Sequence, residues 1–332
     1  MNRPNLSKLI ESSPHPPPLG NALEKSELFV DEISLTIYVS SEEEKRTICR
    51  QIDEYEHVRV TKQYQPNYCK ANYHKTYQFT VKPKKGGSFV FKLSNSPIDG
   101  QRDDGKRRFL RVEFNPSAVG AHRMWILRRL LCRLLSEGVV DRLRTEARVT
   151  RIDLALDFKG LQEPLYLYKT TARTSSIFHG DASATQYIGS KHSRFLLCWY
   201  DKAAERVARG VACEDKNWHR LEARIKDLRF SPAELAEKLK NPFPRVSFYS
   251  DQFLEDRFSK NERSEHLFRS SVRERGLNAT FPRKAVWKKE KKRYLTWLEE
   301  RGHQRHLFDP VDVWRQRNKA LSVLDALWEE RD

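Results

Sequence analysis

The segment RVTRIDLALDF, residues 148–158, limits the possible fold more than any other stretch of the chain. Taken by alternate residues, Ile152, Leu154, Leu156 and Phe158 fall on one side of an extended strand. Arg151, Asp153, Ala155 and Asp157 fall on the other. LEARIK repeats the pattern, with Leu221, Ala223 and Ile225 against Glu222, Arg224 and Lys226. LRVEFN repeats it again, with Leu110, Val112 and Phe114 against Arg111 and Glu113. For one strand a solvated face is explanation enough. Exposed antiparallel strands, however, favour Thr, Val and aromatic residues and are poor in Asp. An acid beside an arginine at mid-strand, three times over, marks a sheet face with a task. If these strands are neighbours, their carboxylates form the kind of oxygen cluster that suits a hard divalent cation. Asp153 and Asp157 stand roughly 13 Å apart on an extended strand, so they do not share one ion.

Other segments supply the rest of an α+β protein. FVDEISLTIYV (29–39) is a strand, and Ser41 with Glu44 opens a helix through a capping box. YQFTV (77–81) and SFVFKLS (88–94) form a hairpin, and RRFLRVEFNP (107–116) is a further strand. A long helix follows, with Pro116 in its first turn and Gly138 as its stop. TQYIGS, RFLLCWY and WHRLEARIK are three more strands, and Ser231 caps a helix through SPAELAEKL. FPRKAVWKKEKKRYLTWLEERG is a helix with a thin seam of Trp287, Tyr294 and Leu298. DPVDVWRQRNKALSVLDALWEE is another, capped by Asp309 and buried along Trp314, Leu321, Leu324 and Trp328. The expected architecture is a central, mostly antiparallel sheet with one helix-covered face and one charged catalytic face. A basic helical C-terminal region follows it. Residues 1–23 read as a mobile Pro-rich arm, 24–245 as the catalytic domain and 246–332 as the basic helical region.

Charge names the partner class. The chain carries 62 Lys and Arg against 45 Asp and Glu, a net charge of +17, which favours a polyanion. Residues 257–306 alone hold 15 Lys or Arg against 6 Glu. The apolar runs are too short to span a bilayer, and the N-terminus has no signal-peptide pattern. Five scattered cysteines without a CxxC spacing argue against a disulfide framework and a zinc ribbon. The expectation is a soluble cytoplasmic protein with free thiols and no membrane partner.

RFLLCWYDKAAER (194–206) raises the sharpest question, because an apolar strand ends on Tyr200 and turns abruptly polar. Either the strand ends where a helix begins, or Tyr200 is a nucleophile. Here the chain resembles a known family. RVTRIDLALDF, YIGSKHSRFLLCWYDKAAER and HRLEARIKD, preceded by LRVEFNP and a long helix, resemble the replication initiation factors of rolling-circle plasmids and some filamentous phages, the Rep_trans type. The resemblance covers about residues 105–230. It implies a DNA-nicking and strand-joining enzyme in which Tyr200 attacks the phosphodiester. Asp153, Asp157 and Glu222 would belong to a site for Mg²⁺ or Mn²⁺. Staphylococcal plasmid initiators carry a second acid where this chain has Arg224, which points to Glu113 or a water as a substitute ligand.

A tyrosine with a pKa near 10 needs help at neutral pH, and Lys202, Arg194 or the ion could lower it. The expected product is a 5′-phosphotyrosine and a free 3′-OH primer. The sheet would hold single-stranded or extruded DNA through Arg151, Arg224 and Lys191. The KKEKKR run (Lys288, Lys289, Lys291, Lys292 and Arg293) is either a solvated helix face or a set of phosphate contacts to the origin duplex. Tyr187 is a reserve nucleophile with core packing as its simpler role. His219 is structural, since no His-hydrophobe-His pair accompanies it. One strong nucleophile per chain implies a homodimer, and a host helicase belongs among the expected partners. A conjugative relaxase and an inactive DNA-binding regulator remain alternatives, the latter because of Arg224.

Overall fold

The computed structural model describes residues 26–55, 58–63, 75–83, 87–95, 109–172, 174–180, 183–258, 262–280 and 285–329. The Pro-rich arm, residues 1–23, lies outside the described residues. Side chains of residues 58–63, 75 and 285–288 are not described.

The first half of the chain runs β1 (Leu28–Tyr38), α1 (Glu42–Asp53), β2 (Val58–Gln63), β3 (Lys75–Val81), β4 (Phe89–Asn95) and β5 (Phe109–Phe114). Three helices follow: α2 (Pro116–Val119), α3 (Met124–Leu135) and α4 (Glu137–Thr145). The next part runs β6 (Arg148–Phe158), β7 (Leu165–Lys169), β8 (Ser175–His179), β9 (Ala184–Ile188), β10 (Phe195–Asp201), α5 (Lys202–Ala208) and β11 (His219–Lys226). The last runs α6 (Leu235–Lys238), β12 (Val246–Ser250), α7 (Glu262–Thr280), α8 (Ala285–Glu300), β13 (Gln304–Arg305), α9 (Pro310–Arg315), α10 (Arg317–Leu321) and α11 (Asp325–Trp328).

Among the described residues, ten strands form one antiparallel sheet in the order β2-β3-β4-β5-β1-β6-β11-β10-β9-β8. A smaller sheet has the order β13-β12-β7. The alternation in β6 is realised as expected. Ile152, Leu154, Leu156 and Phe158 are buried in the apolar core with Leu197, Trp199, Leu221 and Ala223. Their alternates form the opposite, charged face. The protein is therefore α+β, with a large antiparallel sheet covered on one face.

The cover has two parts. Helices α3 and α4 bring Leu127, Leu131, Leu134, Val139, Val140 and Leu143 into the main core. The small sheet joins the same core through an aromatic group in which Phe248 packs on Trp199 at 4.9 Å and on Phe158 at 6.3 Å. Behind it, Tyr168, Tyr249, Phe253, Val272, Tyr294 and Leu298 make a second cluster under α7 and α8. The region after residue 245 therefore starts with a strand, and its end returns to the main core. Val313, Leu321, Leu324 and Leu327 are buried there, with Trp314 and Trp328 packed against them.

Two expected helices are broken. The one after Pro116 divides at Gly120 (φ +73) and again at Ser136 (φ +77). Asn115 caps the first piece by accepting from the Ala118 amide at 2.7 Å. Gly138 is not the stop; it lies inside α4, and the chain turns two residues earlier. The C-terminal helix is likewise a set of short pieces, because Asp309 caps only α9 and the chain bends to follow the core. Ser41 and Ser231 cap as expected, at 3.0 Å from the Glu44 amide and in a full capping box with Glu234. Gly189 (φ +107) makes the tight β9–β10 turn, where a Cβ would sit 2.7 Å from the Phe195 carbonyl oxygen. Cys49, Cys132, Cys198 and Cys213 form no disulfide among the described residues. No helix among the described residues is long and apolar enough to cross a membrane.

Candidate active site

Strand pairing brings the charged positions of β6, β11 and β10 side by side. Arg224 lies opposite Asp153, Glu222 opposite both Ala155 and Cys198, and Arg220 opposite both Asp157 and Tyr200. On the far side of β6, Glu32 of β1 lies opposite Asp153. Of these, Glu32, Asp153, Cys198, Tyr200, Glu222 and Arg224 line a cleft of about 360 Å³ that also includes Arg151, Asp31, Lys202, Tyr187 and Glu205.

The position of Tyr200 is compatible with both readings of its sequence context. The strand does end where a helix begins: Asp201 caps α5, accepting from the Ala204 amide at 2.8 Å. One residue earlier, Tyr200 faces the cleft, and its hydroxyl donates to Glu222 Oε2 at 3.3 Å. Burial and the Glu222 carboxylate push its pKa well above the usual phenol value, with Arg220 opposing. This differs from the expected lowering. The Lys202 ammonium lies 5.7 Å from the Tyr200 ring centroid and is bound to Glu205 at 2.5 Å, not to the phenol oxygen.

The acids are buried and clasped by arginines. Asp153 is 1% exposed and Glu222 is 4% exposed. Arg151 donates to both oxygens of Asp153, through Nε at 2.9 Å to Oδ1 and through Nη2 to Oδ2, and meets Glu32 at 2.7 Å. Arg224 donates to Glu222 Oε1 at 2.6 and 3.1 Å and lies 3.3 Å from Asp153. Burial pushes the Asp153 carboxyl upward. Burial acts the same way on Glu222, but Arg224, with Asp153 and Arg151, outweighs it and holds that carboxyl below the usual range. Burial raises Glu32 against the pull of Arg151.

The remaining expected residues separate. Asp157 binds Arg220 at 2.6 and 2.9 Å, and Arg220 reaches on to Asp31 at 2.8 Å. Glu113 stands on β5, with β1 between it and β6, and pairs with Arg111 at 2.8 Å and Lys92 at 3.1 Å. It is not part of the cleft. Arg194 is not either. It precedes β10 at the end away from Tyr200, is 67% exposed and lies 3.6 Å from Asp227. Lys191 sits exposed in the same turn. Tyr187, the reserve nucleophile, lines the cleft opposite Cys198, and burial raises its pKa. His219 faces the core, stacked on Trp199 at 5.3 Å. On α8, Lys289 and Lys292 are exposed, while Lys291 lies over the Tyr168 ring at 5.0 Å and Arg293 over Phe258 at 4.9 Å. The Lys288 side chain lies outside the described residues.

Asp31 and Glu32 escaped the sequence reading. Their signal was two adjacent acids inside an otherwise apolar strand, and the β1 register shift between Val30 and Glu32 is what brings both to the cleft.

Asp153 and Glu222, as they are held here, do not fit a divalent ion. A hard cation needs several carboxylate or carbonyl oxygens free to coordinate. Here guanidinium nitrogens hold both oxygens of Asp153 and one of Glu222, and the phenol holds the other. Among the described residues, no group of three His, Cys, Asp or Glu side chains is placed to hold a metal.

Two curated relatives agree with the motif resemblance. The chain is 29% identical over 107 residues to one replication initiation protein of Staphylococcus aureus, and 31% identical over 107 residues to a second. Each match spans 31% of this chain and 31% of the relative, so the similarity covers about a third of either protein. No protein-family model matches the chain. The structure of a rolling circle replication initiator protein from Geobacillus stearothermophilus aligns over 76% of this chain and 99% of that one, with 16% identity and a TM-score of 0.36.

Proposed function

We propose that this chain, with its partial similarity to replication initiation proteins, nicks and rejoins one DNA strand at an origin through Tyr200 and so starts rolling-circle replication. The observation that carries the reading is the hydrogen bond from the Tyr200 hydroxyl to Glu222 at 3.3 Å, in a cleft that Arg151, Lys202, Arg209 and Arg224 also line.

The raised pKa of Tyr200 means that the phenol meets DNA with its proton on. That proton must leave as the oxygen attacks, and Glu222, kept ionised by Arg224, is the acceptor in reach. Guanidinium groups suit phosphate oxygens, and Arg151, Arg224 and Lys202 all line the cleft. An entering phosphate competes with Glu222 for Arg224. As the guanidinium turns to the phosphate, Glu222 loses its clamp and becomes a stronger base. The Tyr200 Oη–P bond forms and the P–O3′ bond breaks. The phenol proton passes to Glu222, and the departing 3′ oxygen takes a proton from water. The products are a 5′-phosphotyrosine and a 3′-OH primer. Reversal uses another 3′-OH as nucleophile, and a phenol oxygen, whose ordinary pKa is near 10, leaves more easily than an alkoxide.

Closing a round takes two transesterifications, and a homodimer would supply the second Tyr200. The exposed Lys289 and Lys292 of α8 are the proposed contacts to the origin duplex.

Single-stranded oligonucleotides tiled across the DNA flanking the gene test the reading, in buffers with Mg²⁺, Mn²⁺ or a chelator. A 3′-end label should travel with the protein through a denaturing gel. A 5′-end label should appear in a shorter free strand. Binding without any adduct under all three conditions would sink the nicking account and leave a DNA-binding regulator.

A further inference from the structure

A second cavity lies at the other end of β10, on the covered face of the sheet. Its volume is about 630 Å³, within the range of roughly 300–1,000 Å³ common for small-ligand sites. The floor is apolar and aromatic, with Phe195, Ile225 and Phe230 each only half-buried. The rim is cationic, from Lys238, Lys240 and Arg245, and no acid lines the cavity. Lys238 is paired with Glu234, but neither Lys240 nor Arg245 has an ion-pair partner among the described residues.

This wall is held in place at a cost. Lys169 is 8% exposed, and its ammonium donates to the carbonyls of Pro242 at 3.1 Å and Pro244 at 2.6 Å. The stapled loop ends at Arg245, whose φ of +62 is unfavourable for a residue with a Cβ. The loop therefore presents an unpaired guanidinium in a strained backbone, beside an open aromatic floor.

A basic ridge joins this cavity to the charged face. Lys191 and Arg194 lie in the β9–β10 turn, and Lys226 ends β11 beside them, its ammonium donating to the Lys191 carbonyl at 2.9 Å. From Phe195 to Tyr200 the strand spans about 17 Å. A cationic track with an aromatic pocket at its end matches the chemistry of single-stranded DNA, in which each unstacked base is flanked by phosphates.

We propose that this cavity takes an unstacked base of the substrate strand, with its flanking phosphates on Lys240 and Arg245. The strand then passes over the Lys191–Arg194–Lys226 ridge to the Tyr200 cleft. The inference rests on the nicking reading and assigns Arg194 and Lys191 to holding the strand.

The test uses the full chain and a fluorescein-labelled, mixed-sequence single-stranded 20-mer followed by anisotropy across a salt series. Lys240→Gln with Arg245→Gln should weaken binding by about tenfold or more, and should reduce the slope of log K against log salt by about 1.4, the value for two lost contacts to a single strand. Leu228→Trp, which fills the cavity, should weaken binding while leaving the salt slope unchanged. Both variants should still form the Tyr200 adduct at saturating DNA. If the double variant binds like the wild type while Arg151→Gln weakens binding, the cavity lies off the strand's path and the nicking reading stands. If decanoate binds the wild type and loses affinity in the double variant while binding of the 20-mer does not, the cavity is a site for an anionic amphiphile and the inference is overturned. If the wild type binds no single strand at all, both readings fail together.

Discussion

Two acid–arginine clusters stand side by side on β6 and β11, and they are built differently. In the first, Arg220 is 6% exposed, donates to Asp157 at 2.6 and 2.9 Å and to Asp31 at 2.8 Å, and stacks over Phe29 at 4.9 Å. One guanidinium fork is matched by two carboxylates, and no nucleophile bonds to either acid. In the second, Arg224 and Arg151 clasp Glu222 and Asp153, yet one Glu222 oxygen remains for the Tyr200 phenol. Both clusters use the same residue types on the same strands. The difference is one acceptor turned toward a hydroxyl rather than toward a second arginine nitrogen. A closed ion cluster holds strands together, whereas an open one can exchange its partners for a phosphate.

Substitutions can break this contrast at either end. Tyr200→Phe should abolish the covalent adduct, a loss of at least about a thousandfold in single-turnover cleavage, with single-strand affinity unchanged within about twofold. Glu222→Gln should slow adduct formation by about 10²–10⁴-fold, the range for removing a general base. On the closed side, Arg220→Met takes the guanidinium away from the half-buried carboxylates of Asp157 and Asp31. It should cost about 1–3 kcal/mol in urea unfolding while the folded fraction still forms adduct. If Arg220→Met instead abolished the adduct without loss of stability, the division between the clusters would be wrong.

Smaller effects sharpen the comparison. Arg224→Glu replaces the clamp with an oxygen donor, so Mn²⁺ affinity measured by electron paramagnetic resonance should rise by about tenfold or more over the wild type. Arg220→Glu should not produce this gain. Lys169 supplies a third buried cation, one that meets carbonyls and no carboxylate. Burial pushes its pKa down to about 8 from 10.5, opposite to the rise that Arg220 and Arg224 gain from their acids. Between these two values the unfolded chain binds the Lys169 proton more tightly than the folded one. Stability contributed at this site therefore rises as pH climbs from 8 to 10.5. The stability difference between wild type and Lys169→Met should shift toward the wild type across that window, as followed by urea midpoints.

Much of the site could be read along single strands. RIDLALDF placed Asp153 on one face and Leu154 on the other, and β6 runs over the expected residues 148–158. The capping residues Ser41, Ser231 and Asp309 also act where the sequence puts them. These features depend on neighbours a few residues away. Two of the expected long helices did not survive, because Ser136 turns where Gly138 was the expected breaker and the C-terminal segment bends to follow the core. Arg194 was placed by proximity to Tyr200 in sequence, but six residues of extended strand carry it to the other end of β10.

The sequence by itself determined which residues of each strand share a face, because a pleated chain alternates its side chains whatever it pairs with. It also determined the surplus of positive charge, which is a sum over residues and independent of their arrangement. Only the tertiary structure decided which faces meet. Inserting β1 between β5 and β6 removed Glu113 from the cleft and put Asp31 and Glu32 in its place. The β1–β6 pairing joins segments more than a hundred residues apart, and no local period encodes that choice.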